Sequence, residues 1–235
     1  MRLQLLVPAL CFLGAAFSFA GEDEFRNALK AYEHVWKAET PAEEKLRLVD
    51  DLLKEWEKLD DERRGSWENR FETVHFRKAE ILASMGKFKE SAQELVTESK
   101  ENPRGQLEYS TRNPDAFFHR LVELQACLTA ETGADPLANA VDYVFEKEGD
   151  GFMAARFELY PEVHQIEVPM VEGEKLLKVH HLRREDGKFQ ITSTDWLVVP
   201  EGKIREVMKK PLREVTFDDN GKMEVQKVKG KAGGK

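Results

Sequence analysis

Apolar residues between positions 22 and 147 recur every three to four residues, which is the period of an amphipathic helix. Phe25, Leu29, Tyr32 and Trp36 form the first apolar stripe. Thr40-Pro41-Ala42-Glu43 combines a capping residue, a first-turn proline and the acid of a capping box, so a second helix begins there. The pattern predicts six helices, with breaks near Thr40, Gly65, Gly86, 102–113, Gly133 and 149–151. Trp36, Trp56 and Trp67 fall on these stripes, so we expect them in the core.

The period changes to two from Phe152 onward, which indicates strands. Asp186-Gly187 predicts a hairpin between strands at 175–184 and 188–199, and Asn220-Gly221 predicts a second hairpin. One helical turn is expected at 204–209. The sequence therefore predicts an α+β fold, with N-terminal stacked helical hairpins followed by a C-terminal antiparallel β-rich part.

The first twenty residues have the pattern of a cleavable secretory signal. Arg2 precedes an apolar run over 3–19, and Ser18 and Ala20 supply the small residues that signal peptidase requires. An uncleaved membrane anchor is the alternative, but Pro8 and Gly14 disfavour a spanning helix. The expected organisation is a signal peptide at 1–20, a helical-hairpin domain at 21–148, a β-rich domain at 152–228 and a disordered Lys/Gly tail at 229–235.

Charge and cysteine content narrow the class of protein. The net charge of −8 disfavours nucleic acid as a partner, because like charges repel. Of two cysteines, only Cys127 follows the signal, so no disulfide forms within the mature chain, and we expect an inert thiol in an apolar helix. The absence of an N-x-S/T signal fits a bacterial envelope, so the expected location is periplasmic or secreted.

Residues 71–104 resemble a single tetratricopeptide repeat, a family of 34-residue helical hairpins. The resemblance depends on Ala79, Leu82, Gly86-Lys87-Phe88, Ser91-Ala92, Leu95 and Pro103. Glu98 departs from the family pattern, which has alanine there, and His75 stands at the usual tryptophan position. Residues 22–61 and 113–148 are candidates for degenerate hairpins of the same kind, and an ordinary helical bundle is the alternative. The resemblance implies a surface that binds a protein or peptide.

Residues 175–199 look like the late hairpin of an NTF2-like α+β cone, with an Asp-Gly-Lys turn followed by Phe189 and Ile191-Thr192-Ser193. That resemblance implies a pocket beneath the fifth and sixth helices. Its candidate ligand-binding residues are His164, His180, Asp195 and Trp196.

Catalytic and metal-binding motifs are absent from the sequence. There is no nucleophile elbow, phosphate loop or dinucleotide fingerprint. His180 and His181 point to opposite faces of a strand, so only His164 with one of them and Asp195 would make a minimal metal site. We therefore predict no catalytic residue, no metal and no cofactor.

Two function classes follow from these patterns. The first is an exported, non-enzymatic binding or scaffold protein that presents its helical surface to another envelope protein or peptide. The second is an NTF2-like domain with a ligand-binding or catalytic pocket. A structural protein that associates with itself is a third alternative.

Overall fold

The computed structural model describes residues 13–71, 73–101, 114–138, 143–158 and 167–228. The fold is α+β, with helical hairpins followed by a six-stranded antiparallel sheet, as the sequence predicts. The chain forms two compact units, 1–110 and 111–235. The change of period predicts a boundary near 149–151, whereas the units divide at residue 110 because the helix after it belongs with the sheet.

Unit 1 consists of helices that pack against one another. They are α1 (Leu13–Tyr32), a 3-10 turn (Glu33–Trp36), α2 (Ala42–Glu57), α3 (Asp61–Phe71), α4 (Val74–Ser84) and α5 (Phe88–Glu101). The main contacts are α1 with α2, α2 with α4, and α4 with α5. The core contains Phe25, Val35, Val49, Leu52 and Ile81, each almost fully buried. Among the helices in the described part of the chain, none combines the length and apolarity needed to cross a membrane.

The stretch that the sequence predicts as one helix from 65 to 86 is two helices. Thr73 has a φ of 65°, which a right-handed helix cannot contain, and α4 begins directly after it. Thr73 makes no side-chain cap. The buried Glu98 carboxylate of α5 instead accepts a hydrogen bond from the Phe76 backbone N–H at 2.9 Å. The departure of Glu98 from the repeat pattern thus has a structural reason, since its carboxylate accepts a hydrogen bond from the first turn of the neighbouring helix.

Trp36 was expected in the core, but its exposed fraction is 57%. The cause is the 3-10 turn that follows Tyr32. Three residues per turn place Val35 directly above Tyr32, and both are buried, whereas Trp36 is rotated away from the apolar stripe. Trp56 and Trp67 do pack against the core cluster, as predicted.

In its described residues, unit 2 is a meander of six strands with a long helix and one helical turn. The strands are β1 (Tyr143–Glu148), β2 (Gly151–Phe157), β3 (Glu174–Glu185), β4 (Lys188–Pro200), β5 (Arg213–Phe217) and β6 (Met223–Lys227), each paired antiparallel with the next. The helix α6 (Pro114–Thr132) precedes them, and the turn α7 (Ile204–Val207) lies between β4 and β5.

Both predicted hairpins are confirmed. Asp186 and Gly187 have φ values of 48° and 81°, which the tight turn between β3 and β4 requires. The prediction of a sixth helix is wrong over 143–148, which forms β1. Val144 packs under α7 while Phe145 stacks on Phe152, so both faces of the first half of this strand are covered, whereas Glu146 and Lys147 are exposed. A strand covered on both sides loses the alternating pattern, and its apolar run cannot be distinguished from a buried helix.

The two faces of the sheet have different neighbours. On the face that we call the α7 face, Val144, Ala155, Leu177, Val179 and Val199 pack against Ile204 and Val207. The opposite face, the α6 face, contains His180, whose ring contacts Phe118 and His119 of α6. Residues directly opposite each other in an antiparallel pair share a face, so the strand register assigns every residue to one of these two faces.

Candidate functional site

The structure brings together only two of the four predicted ligand-binding residues. His180 pairs with Thr194, and Lys178 pairs with Trp196, so His180 and Trp196 share the α6 face. Asp195 pairs with Val179 and lies on the α7 face. His164 lies outside the described residues.

A cluster of charged side chains lies around these two residues on the α6 face. Arg156 pairs with Lys178 across β2 and β3, and Glu158 follows β2 directly. The side chains of Arg156, Lys178 and Glu158 are 6%, 2% and 2% exposed. Arg156 Nη2 and Lys178 Nζ each lie 3.8 Å from the same atom, Glu158 Oε2. We call Arg156, Glu158, Lys178 and His180 the buried cluster.

Aromatic rings form the walls of the buried cluster. The Arg156 guanidinium lies 4.0 Å from the centre of the Phe118 ring, and Lys178 Nζ lies 4.8 Å from that of Trp196. His180 Nδ1 is 2.8 Å from the Thr194 hydroxyl, which fixes the orientation of the imidazole. Cations over ring faces gain electrostatic stabilisation that grows when water is excluded. The cluster is therefore an apolar-walled polar site with cationic groups at its centre.

The candidate residues that the sequence predicts do not include Arg156, Glu158 and Lys178. A signal was present, because Lys178 interrupts the apolar run Leu-Leu-Lys-Val-His-His-Leu at 176–182. Residues 176–180 are all buried, since β3 is covered on both faces. A lysine in the middle of such a strand is buried whichever face it points to, and charged residues are rarely buried without a specific partner.

A second polar constellation lies on the α7 face around His181. Its Nδ1 lies 2.8 Å from Glu148 Oε2, and its Nε2 lies 3.0 Å from Asp195 Oδ2. Arg183 reaches the same Glu148 oxygen at 3.3 Å. The hydrogen bond from His181 holds the pKa of Glu148 below its usual range. Partial burial acts to lower the pKa of His181, but the two carboxylates outweigh it and raise that pKa.

The His181 constellation stabilises the sheet and does not form a metal site. Its two carboxylates bind opposite nitrogens of one imidazole ring and cannot converge on a common ion. Within the part of the chain that the structure describes, no group of three or more His, Cys, Asp or Glu side chains could hold a metal ion. Glu148 of β1 and Asp195 of β4 instead both bind the His181 side chain of β3, which connects the three strands.

The cysteine of α6, Cys127, is a free thiol of intermediate burial. Burial raises its pKa, the nearby Glu131 carboxylate adds to that effect, and Arg184 opposes it. A raised pKa lowers the thiolate fraction, and the inert thiol expected from the sequence stays a prediction.

Unit 1 has an open groove beside the connection between α1 and α2. The groove has a volume of about 470 Å³. It is lined by Ala31, His34, Lys37, Glu39, Thr40, Pro41, Glu44 and Leu48. Trp36, in the same connection, is covered on one side by the Arg77 guanidinium at 4.4 Å from its ring. We call Trp36, Arg77 and the groove residues the Trp36 surface.

A network of charges stabilises the helices of unit 1 around Lys78. Lys78 Nζ contacts Asp50 of α2 at 3.0 Å and Glu94 of α5 at 2.7 Å, and His75 contacts Glu94 at 2.7 Å. Burial acts to raise the pKa of Glu94, but the hydrogen bonds with His75 and Lys78 outweigh it and lower that pKa. His75, which departs from the repeat pattern, therefore has a partner on the opposite helix of its own hairpin.

Comparison with known proteins gives no relative. No protein-family model, no curated protein and no solved structure matches the chain. The resemblances to a tetratricopeptide repeat and to an NTF2-like hairpin stay predictions, and the function has to be argued from the geometry of the chain itself.

Proposed function

We propose that the protein is an exported binding or scaffold protein of the bacterial envelope whose helical unit binds a protein partner at the Trp36 surface. The observation that supports this proposal is the 57% exposure of Trp36, the most exposed aromatic side chain in the described part of the chain. Burying an aromatic ring of this size in an interface contributes more than burying most other side chains.

The surroundings of Trp36 favour binding because they are already held in place. Arg77 donates hydrogen bonds to the Glu80 carboxylate at 2.9 Å and to the Val35 carbonyl at 3.4 Å. Its guanidinium is therefore fixed over one side of the indole before any partner arrives. Tryptophan and arginine are the residue types most enriched at the centres of protein interfaces, and a fixed conformation lowers the entropy cost of association.

The groove, lined by residues that precede and follow Trp36 in the chain, suits a segment of polypeptide. Ala31, Pro41 and Leu48 supply apolar surface, while Lys37 and Glu44 place charges of both signs on its lining. An apolar centre with polar surroundings is the usual composition of a protein-binding surface. A partner that inserts one apolar side chain beside Trp36 and pairs its charges with the groove would satisfy both features.

Capture of partners from the native envelope tests this proposal. The protein is cross-linked in place and its stoichiometric partners are compared with those of Trp36→Ala. Phe217→Ala is the matched control, because Phe217 is an exposed aromatic residue of unit 2, at 44%. We expect Trp36→Ala to lose a partner that Phe217→Ala retains. Equal recovery with both variants, or no stoichiometric partner for the unmodified protein, would contradict the proposal.

Export is tested separately by the mass of the protein recovered from the envelope. Cleavage after Ala20 would give a chain that begins at Gly21. A recovered chain that begins at Met1, or recovery from the cytoplasm alone, would refute the exported location while leaving the binding surface to be judged on its own test.

A further inference from the structure

Strand β6 forms one edge of the sheet, and no strand in the described part of the chain pairs with its outer side. Its hydrogen bonds with β5 show which backbone groups this side presents. Asp218 N–H donates to the Lys222 carbonyl at 3.0 Å, and Val228 N–H donates to the Leu212 carbonyl at 3.3 Å. Bonding alternates along an antiparallel pair, so every second residue of β6 has its N–H and C=O groups on the outer side. These residues are Met223, Val225 and Lys227.

The two edges of the sheet differ in how they are protected from another strand. On β1, Glu146 pairs with Arg205 of α7, and Glu148 pairs with His181. Strand β6 contains no proline, its register with β5 is continuous, and its central residue, Val225, is apolar and exposed. Charges, prolines and bulges prevent a sheet edge from pairing, and an edge without them is a template for a further strand. The outer side of β6 is therefore suited to strand addition.

The distribution of charge along this part of the chain indicates which strand would be added. Residues 218–224 contain three acidic side chains and one lysine, whereas residues 225–231 contain three lysines and no acidic residue. Two copies that pair antiparallel bring the acidic stretch of each beside the basic stretch of the other. Opposite charges then meet twice, whereas a parallel pairing would bring like charges together. Strand β6 is thus complementary to a second copy of itself.

The outward backbone groups also select the register of such a pair. A two-fold axis at Val225 pairs this residue with its own copy and pairs Met223 with Lys227 of the second copy, so every outward residue of β6 has a partner. Moving the axis to Glu224 would place two carboxylates opposite each other, and moving it to Lys227 would do the same with two lysines. Both shifts are unfavourable.

We propose that two copies of the protein associate through the outer sides of their β6 strands, as an antiparallel pair centred on Val225. A contact made by one pair of strands is small, so the dimer is expected to be weak and reversible. This contact lies in unit 2 and does not involve the Trp36 surface. Loss of either interaction therefore leaves the other intact.

Sedimentation of the full chain at concentrations from about 10 µM to about 1 mM tests the proposal. Val225→Lys places two lysines opposite each other at the axis, and we expect it to weaken dimerisation at least about tenfold. Gln226→Lys is the matched control, because it adds the same charge one residue later, opposite Glu224 of the second copy, and should dimerise at least as tightly as the unmodified protein. A monomer at about 1 mM, or equal weakening by both substitutions, would overturn the proposal.

Mixing two variants tests the position of the axis. Val225→Glu and Val225→Lys should each dimerise weakly alone, whereas an equimolar mixture should form mixed dimers, since opposite charges then face each other. No gain on mixing would overturn the proposal. If circular dichroism shows that these variants do not fold, hydrogen exchange of the unmodified chain decides. The Val225 amide should exchange more slowly as the protein concentration rises, and a rate that does not depend on concentration would overturn the proposal.

Discussion

His180 and His181 are neighbours in sequence and lie on opposite faces of one sheet. His180 is fully buried beneath α6, beside Arg156, Lys178 and aromatic rings. His181 lies on the α7 face, half-buried between two carboxylates that water still reaches. Both faces carry charge, but only on the α6 face is that charge removed from water.

A charged side chain affects the stability of the fold differently on the two faces. An exposed ion pair gains little, because water and salt already stabilise both charges. A buried charge depends on its protein partners, so the loss of one partner leaves the others uncompensated. The energetic difference between the faces can therefore be measured with identical substitutions.

The largest expected effect is that of removing the negative charge from each face. Glu158→Gln leaves Arg156 and Lys178 without the carboxylate oxygen that both approach, so we expect a loss of about 3–5 kcal/mol in the free energy of unfolding. Glu148→Gln makes the same change beside His181 and should cost less than about 1 kcal/mol. Urea denaturation of both variants measures the difference. Equal losses in the free energy of unfolding would contradict the energetic difference between the faces.

A smaller loss of stability is expected from adding a side chain at Gly151, next to the His181 constellation. A Cβ at this position would clash with the Leu182 carbonyl oxygen and would lie 2.5 Å from Arg183 Nη1. The strand must shift, so Gly151→Ala should cost about 1–3 kcal/mol. Gly65→Ala is the control, because nothing lies within 4 Å there and helical alanine is favoured. Thermal denaturation in which Gly65→Ala is the less stable variant would contradict this close packing.

The smallest effect is the pH dependence of the His181 constellation. The pKa of His181 is raised above 6.5, so its contribution is complete below pH 6.5 and is lost as the pH rises through the folded-state pKa. The pKa of Glu148 is lowered below 4.5, so its contribution is complete above pH 4.5 and is lost as the pH falls. We expect the unmodified protein to exceed His181→Gln in stability by less than about 1 kcal/mol, with the largest difference between these two values.

Denaturation of the unmodified protein and His181→Gln across the pH range checks this expectation. The difference in the free energy of unfolding should diminish on the alkaline side. A difference that grows above pH 7 would show that His181 does not act as a cation between Glu148 and Asp195.

Helix ends and turns that depend on the residue at that position could be predicted from the sequence. Gly86, Gly133 and Gly187 all have positive φ values where the sequence predicts a helix end or a turn. These signals succeed because the preference of glycine for positive φ is a property of the residue itself. The hairpins on either side of 186–187 and 220–221 followed from the same local chemistry.

Elements whose structure depends on distant neighbours could not be predicted. The break at Thr73 is stabilised by Glu98, which is 25 positions later in the chain and caps α4 from α5. The exposure of Trp36 depends on a 3-10 turn that the stripe of apolar residues does not reveal. The buried cluster could not be predicted without the strand register. That register places Arg156 beside Lys178 and separates Trp196 from Asp195.

The salt dependence of two substitutions tests the central contrast between the faces most directly. The free energy of unfolding is measured by urea denaturation for the unmodified protein, Glu158→Gln and Glu148→Gln, at low and at high salt concentration. We predict that salt diminishes the loss caused by Glu148→Gln, because ions screen exposed charges, and leaves the loss caused by Glu158→Gln nearly unchanged. A loss for Glu158→Gln that falls with salt as much as that for Glu148→Gln would contradict the burial of charge on the α6 face.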